Sequence, residues 1–337
     1  MGTNWRKLFA VGGVVAALCL SGSVPGQTVT LKLAHQWPQN EADYVIAIGV
    51  RFAQEVEKRS NGQMKIQFFP AESLVKASAT HTALRNGTVD LAIYPYAYLV
   101  GAIPEMNLIT MSGLWKTHDD VFRYRTSAVW KKLEAKAEAY GIKTLCWIQI
   151  GAGVASTKRF IHTPSDLAGQ KARIPGKYQE FASQQAGASN ATMPSSELYN
   201  AMQLGLVDAI ITSSSSFAAF RLYEVAKYYV SPEEYSFYFT IEPIAISMKT
   251  WNRLTPEQQK TLTDVGNSLE QFALEGAKKE DLRVAKLFAD NGAKVEKLSL
   301  TDWNRWQALF QEHAFAKFRQ DIPASAALLD ESIALYR

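Results

Sequence analysis

Several residue types in this chain could do chemistry, and their spacing decides how far each reading goes. The histidines His35, His81, His118, His162 and His313 are scattered without metal-ligand spacing, so no metal site is expected. Asp90 and Asp208 could form a carboxylate pair for acid–base work. Each follows a glycine at the end of a helical stretch, however, and those matched positions imply a repeated turn-stabilising role. The run Thr212-Ser213-Ser214-Ser215-Ser216 offers hydroxyls that both donate and accept, enough for one or two polar groups of a ligand. Arg173, taken by itself, is a charge beside a turn. No Gly-x-Ser-x-Gly elbow, P-loop or Rossmann glycine pattern stands in a strand–turn–helix context. No catalytic residue and no cofactor is therefore assigned, and an enzyme is the minority reading. Turnover of a bound ligand would be its sign.

The elements that must position these groups alternate. Val29–Ala34 has period-two apolar spacing and predicts a strand; 43–58 carries Val45, Ile46, Ile48, Phe52 and Val56 at helical spacing. The turn Ser60-Asn61-Gly62 leads into a second strand, Met64–Phe69, closed by Pro70. Such alternation argues for parallel strand pairing with helices on the sheet faces. An internal repeat extends the argument. HTALRNGTVDLAIYPY (81–96) aligns without gaps on YNAMQLGLVDAIITSS (199–214), matching Ala83 with Ala201, Gly87 with Gly205, Val89 with Val207 and Asp90 with Asp208. Each copy reads as a helix ended by a left-handed glycine and followed by an apolar strand. Pro70…Leu74 and Pro194…Leu198 precede them at the same offset. Two similar α/β lobes follow, lobe 1 from 27–150 plus about 239–280, and lobe 2 from 151–238 plus about 281–337. A long helix over 256–291 is expected to run across both, with further helices near 302–318 and 325–336. Trp303, Trp306, Leu309 and Phe310 are assigned to packing.

Ligands of open α/β sheets sit beyond the carboxyl ends of strands. The segments expected at the cleft are His35-Gln36-Trp37, Glu72 onward, Tyr94-Pro95-Tyr96, Gln149 to Ala155, and Thr212-Ser213-Ser214. Within them Gln36 or His35 is a candidate polar contact and Trp37 an apolar wall. Glu72 is placed at a helix start, with Lys76 as a possible second cation. Tyr94 or Tyr96 is expected to reach the ligand through its hydroxyl. Gln149, Gly151, Ser195, Thr212, Ser213 and Phe237 complete the candidate set.

Bulk properties bound the setting. The chain has 337 residues, 47% hydrophobic and 20% charged, with net charge +4, the balance of an ordinary globular protein. Basic residues are not clustered with aromatics, so nucleic acid is not an expected partner. Arg6 and Lys7, the uncharged run Leu8–Leu20 and small residues to Gly26 read as a cleaved signal peptide over 1–26, which implies export to the periplasm. No later run is long and apolar enough to span a membrane, so the mature chain is expected to be soluble. Cys19 leaves with the leader. Cys146, in an apolar run, is then the sole thiol and is expected to be a small buried hydrophobe.

The stretch Thr163-Pro164-Ser165-Asp166-Leu167-Ala168-Gly169-Gln170-Lys171-Ala172-Arg173-Ile174-Pro175 resembles the signature of DctP-type solute-binding proteins, the receptors of TRAP transporters. Gly187-Ala188, Met193 to Tyr199, Ala201 to Ala209, Leu33-Ala34-His35 and Ser60 to Lys65 extend the likeness over nearly all of the mature chain. The resemblance implies a two-lobed periplasmic-binding-protein-like clamp, α/β with mixed sheets flanked by helices. It implies a small organic carboxylate as ligand, TRAP membrane subunits as partners, and Arg173 as the residue that holds the carboxylate. A guanidinium fork suits that task. Two departures matter: Gly153 stands where many members carry a second arginine, and Ala209-Ile210-Ile211-Thr212-Ser213 replaces a run ending Gly-Gln-Glu-Asn-Pro. Both remove polar groups suited to a heavily hydroxylated ligand. The expected ligand is therefore a monocarboxylate with an apolar or aromatic body, such as a 2-oxo or 2-hydroxy acid. A sugar acid (uronate or aldonate) is the alternative, and a signalling receptor would have the same closing motion.

Overall fold

Among the described residues, twelve strands and a series of helices form. The computed structural model describes Met1 and residues 28–336; the expected leader otherwise lies outside the described residues. In chain order the strands are β1 (Val29–His35), β2 (Met64–Phe69), β3 (Leu91–Ile93), β4 (Ile142–Cys146), β5 (Gln149–Ser156), β6 (Lys171–Arg173), β7 (Ser189–Asn190), β8 (Ala209–Ser213), β9 (Tyr228–Ser231), β10 (Phe239–Ile241), β11 (Ile244–Ser247) and β12 (Lys294–Lys297). They form two mixed sheets. The first runs β2-β1-β3-β11-β4, and the second β12-β9-β5-β8-β6-β7 with β10 paired to β5.

The two sheets share a local plan. β1 pairs in parallel with β2 and β3, and β3 then meets an antiparallel neighbour, β11. Likewise β6 pairs in parallel with β7 and β8, and β8 meets antiparallel β5. The internal repeat supplies the third strand of each unit. The Thr80–Asn86 helix ends at Gly87 with φ +73°, and the Leu198–Gln203 helix gives way to Gly205 with φ +70°. The left-handed turn lets carbonyls of the last helical turn be satisfied: Gly87 N–H reaches Ala83 and Leu84, and Leu206 N–H reaches Ala201. The two aspartates act alike. Asp90 accepts from Lys32 N–H at 2.9 Å and Asp208 from Lys171 N–H at 3.1 Å, each tying its turn to the adjacent parallel strand.

The Tyr44–Arg59 helix buries Val45, Ile46, Ile48, Phe52 and Val56 on one face and places Lys58 and Arg59 in its last turn, where they favour the helix dipole. The long helix spans Pro256–Asp290, 35 residues, opened by a Thr255–Gln258 capping box. It packs on β4 of the first sheet and on β5, β9 and β12 of the second, so it runs across both. Its Gly266 lies directly on the Leu145 carbonyl, which no side chain would allow.

The helical pattern over 302–318 is realised as Leu300–Leu309, a π turn at Phe310–Phe315, and Ala316–Asp321. Together with Ala326–Ala334 these helices touch both lobes. Ser332 bonds Tyr124 Oη at 3.2 Å and Glu331 pairs with Lys132, while Phe318 packs edge-on against Tyr178 of the other lobe. Trp303, Trp306 and Phe310 are buried, as packing residues should be, and Leu309 is partly buried against the same core.

The segment Gln149–Ala155, expected at the cleft after a strand-like run, is the body of β5. It is buried along its whole length and paired with β8 and β9 over its later part and with β10 at its start. The chain crosses from the first sheet to the second at Trp147-Ile148 and returns at Glu242-Pro243. These crossings are bonded to each other, Glu242 N–H donating to Ile148 O at 2.8 Å.

Candidate ligand-binding site

The last residue of β6 is Arg173, and its side chain runs beneath the end of β8. Its Nε and Nη2 both donate to the Met193 carbonyl, at 3.1 and 3.0 Å, and Nη1 donates to the Ile211 carbonyl at 3.0 Å. A guanidinium has five N–H donors, so one on each Nη is left for a ligand, matching the two oxygens of a carboxylate. The residue is only 4% exposed.

Arg173 lines two adjoining chambers between the lobes. The inner one holds about 10 Å³, room for one water-sized group; Ser195, Thr212, Ser213, Thr240, Tyr98, Tyr238 and Glu242 surround it together with Pro95, Ala97 and Pro175. The outer one holds about 440 Å³ and is lined by Ala97, Tyr98, Val100, Ile174, Pro175, Met193 and Pro194, with Ser78, Lys177, Glu180 and Thr192 as its polar members. Tyr98 Oη accepts from Ser195 N–H at 3.2 Å and donates to Gln36 Oε1 at 3.3 Å, joining the lobes over the inner chamber. Tyr238 Oη is buried and has no hydrogen-bond partner among the described residues. Burial pushes the Glu242 carboxyl up to about 8, against the Ser213 and Ser215 hydroxyls, which favour its charged form. Glu180 is likewise raised by burial, with Thr192 and Arg173 opposing.

Of the residues expected at the site, Arg173, Ser195, Thr212 and Ser213 line the inner chamber. The others line neither chamber. Tyr94 and Tyr96 are core: their rings meet edge-on at 5.4 Å, and Tyr96 Oη bonds Thr144 at 2.7 Å. Phe237 stacks on Trp306 at 4.3 Å. Gln149 is held by the His118 carbonyl and the Trp147 indole, and Gly151 gives room to buried Asp281, whose Oδ2 lies 2.6 Å from where a Cβ would be. Aromatic and amide side chains satisfy a core as readily as a ligand, so residue type alone does not separate the two.

The loop after β1 and the turn after β2 work at the seam between lobes instead. Trp37 Nε1 donates to Ser216 Oγ at 3.3 Å across it, and Gln36 receives Tyr98. His35 is buried against Gln39, its pKa lowered by burial. Glu72 is not at a helix start: it sits in a left-handed turn with φ +58°, accepting from Ala77 N–H and from Ser196 Oγ of the other lobe, at 3.1 and 3.2 Å. Lys76 pairs with it at the surface. Tyr98, Tyr238, Thr240 and Glu242 are the additions. Glu242 had a readable signal, a lone acid in the apolar run FTIEPIAIS.

The position of Gly153 is closed to any side chain. A Cβ there would lie 2.5 Å from the Oη and Cε2 of Tyr229, so the ring occupies the space a second arginine would need to leave the strand. Among the described residues, no group of three or more His, Cys, Asp or Glu is placed to hold a metal, and no helix is long and apolar enough to cross a membrane.

Known proteins resemble the chain over most of its length. The family model for bacterial extracellular solute-binding protein, family 7 (DctP), matches residues 33–321. A solute-binding protein from Albidiferax ferrireducens is 35% identical over 327 residues, 96% of this chain and 97% of its own. A TRAP periplasmic solute binding protein from Rhodoferax ferrireducens, solved with bound malonate, superposes with a TM-score of 0.88 at 35% identity, covering 90% of this chain and 98% of that one. One from Sulfitobacter sp. NAS-14.1, solved with bound beta-D-galacturonate, gives 0.82 at 22% identity over 90% and 99%, a likeness of fold. The chain belongs to the DctP family of bacterial extracellular solute-binding proteins, the receptors of TRAP transporters.

Proposed function

We propose that this protein, exported to the periplasm by its leader, captures a small organic monocarboxylate between its lobes and delivers it to TRAP membrane subunits. Arg173 holds the carboxylate where the chambers meet, Ser195, Thr212 and Ser213 line the inner chamber beside it, and Tyr98 closes over it. The observation that carries the reading is the junction of the chambers: a buried guanidinium with two free donors opens onto a 440 Å³ space walled by Val100, Ile174, Pro175 and Met193. A head group at Arg173 with an apolar body in the outer chamber uses both. A 2-oxo or 2-hydroxy acid with a short aliphatic or aromatic body fits best. A relative with bound malonate supports an acid of small size.

Sugar acids are the second reading. Ser78, Thr192, Lys177 and Glu180 on the outer chamber could bond ring hydroxyls, and a protein of the same fold carries galacturonate. A thermal-shift screen of the purified protein against 2-oxo, 2-hydroxy, dicarboxylic, uronic and aldonic acids separates them. A ligand at a hundred times its Kd adds about 2.7 kcal/mol of stability. The largest shift is expected for an apolar 2-oxo or 2-hydroxy acid; a uronate giving the largest shift selects the second reading, and no shift with any acid counts against both.

A further inference from the structure

The inner chamber holds a second ionisable group besides Arg173, and it stands at the hinge. Glu242 occupies the crossing between β10 and β11, its N–H fixed on Ile148 of the other crossing, and its side chain is 1% exposed. Among the described residues it has no ion-pair partner; its carboxyl meets only hydroxyls, with Ser215 Oγ 3.4 Å from Oε2. A charge that is dry and unpaired is costly, whereas a neutral carboxyl carries a proton to donate. We propose that Glu242 is a specificity-determining residue that donates, as a neutral acid, to a second oxygen of the ligand held by Arg173, so the site prefers monoanionic 2-oxo and 2-hydroxy acids over simple acids. This rests on the carboxylate reading of Arg173. The inner chamber has room for one water-sized group, which fits a small oxygen next to a carboxylate held at Arg173, not a second charged group.

The neighbours agree. Burial raises the Glu242 carboxyl to about 8, so the neutral form predominates at pH 7. The titratable groups around it are Arg173, Tyr44, Tyr98 and Tyr238; the pKa values of Tyr44 and Tyr238 are raised by burial, which keeps both neutral in the range tested.

The test titrates 2-oxobutyrate and phenylpyruvate, and their partners butyrate and 3-phenylpropionate, into the protein by calorimetry from pH 6 to 9.5. The wild type should bind each 2-oxo acid at least about tenfold tighter than its partner, one hydrogen bond's worth. It should bind the 2-oxo acids about thirtyfold more weakly at pH 9.5 than at pH 7, as a carboxyl titrating at about 8 requires. Glu242→Gln, which always donates, should vary less than about twofold over that range, and Glu242→Ala should lose the preference for the 2-oxo group. Equal pH profiles in wild type and Glu242→Gln, or an undiminished preference in Glu242→Ala, overturn the proposal while leaving Arg173 standing. Binding that requires added sodium or calcium also overturns it, because an ionised Glu242 would then be holding the cation. Binding of a uronate but of none of the four acids overturns the proposal, and no binding of these acids or of a uronate overturns the carboxylate reading on which it rests.

Discussion

Replacing Gly153 by alanine would place a methyl group 2.5 Å from Oη and Cε2 of Tyr229 and 2.7 Å from its Cζ. Ordinary van der Waals contact begins near 3.4 Å, so the ring or the strand must move by about 1 Å. Both are held. Tyr229 stacks on Phe288 at 4.1 Å with an interplanar angle of 5°, and meets Phe217 edge-on at 5.2 Å. Gly153 is registered opposite Thr212 of β8, and the neighbouring residues of β5 pair with β9. Overpacking of this kind costs about 1–3 kcal/mol, while exchanging glycine for alanine in a strand returns roughly 0.5–1 kcal/mol. The expected net loss is therefore about 1–2 kcal/mol. Urea denaturation followed by tryptophan fluorescence should show a lower midpoint with unchanged slope. Tyr229→Phe removes a hydroxyl that has no partner among the described residues, so it should be nearly neutral alone and should recover part of the loss in the double variant. A Gly153→Ala protein as stable as the wild type would refute the reasoning, and the missing second arginine would need another cause.

Further outcomes follow from the same contacts. The Glu242 carboxyl titrates near 4.5 in the unfolded chain and about 8 in the folded one, so between those values the folded state holds the extra proton. Stability is thus lost as pH rises, and from pH 5 to 7 wild type should fall by on the order of 2 kcal/mol relative to Glu242→Gln; parallel stability profiles would contradict this. Gly266→Ala, which would gain about 1 kcal/mol in an exposed helix, should instead cost about 3 kcal/mol or more, because the methyl meets the Leu145 carbonyl. A raised urea midpoint would show that the helix can lift from β4. Cys146 is fully buried and its thiol is pushed up by burial, so a thiol reagent should label it only after denaturation; rapid labelling of the native protein would contradict that.

Much of this fold was legible because it rests on local rules. The strand–helix–strand alternation, both glycine-ended repeat helices and the long helix from Pro256 are each stated by periodicity and caps. The paired aspartates were readable from their matched offsets, and both tie turns to strands. The site was legible only in part. Arg173, Ser195, Thr212 and Ser213 were reached, but Tyr94, Tyr96 and Phe237 are core, since an aromatic residue near a strand end does not declare which face it serves. The strand β5 was not assigned in the sequence, where its two glycines weaken strand propensity; each is required by a neighbour, Asp281 or Tyr229, distant in sequence. Tyr98 and Glu242 reach the chamber through the interlobe seam and the return crossing, which only the packed lobes reveal.

The central claim is that Arg173 holds a ligand carboxylate. Alanine is a poor probe, because it would strand the Met193 and Ile211 carbonyls and cost about 1–3 kcal/mol for each group left buried and unpaired. Arg173→Lys keeps the charge but loses the fork. Calorimetric titration of both proteins with the strongest acid from the screen, each checked for a two-state melt, tests the claim most directly. The account predicts a loss of about ten- to a hundredfold in the lysine variant, the worth of a charge-assisted bidentate contact. Equal affinity in the two proteins would contradict it, and the carboxylate would then have to be held elsewhere.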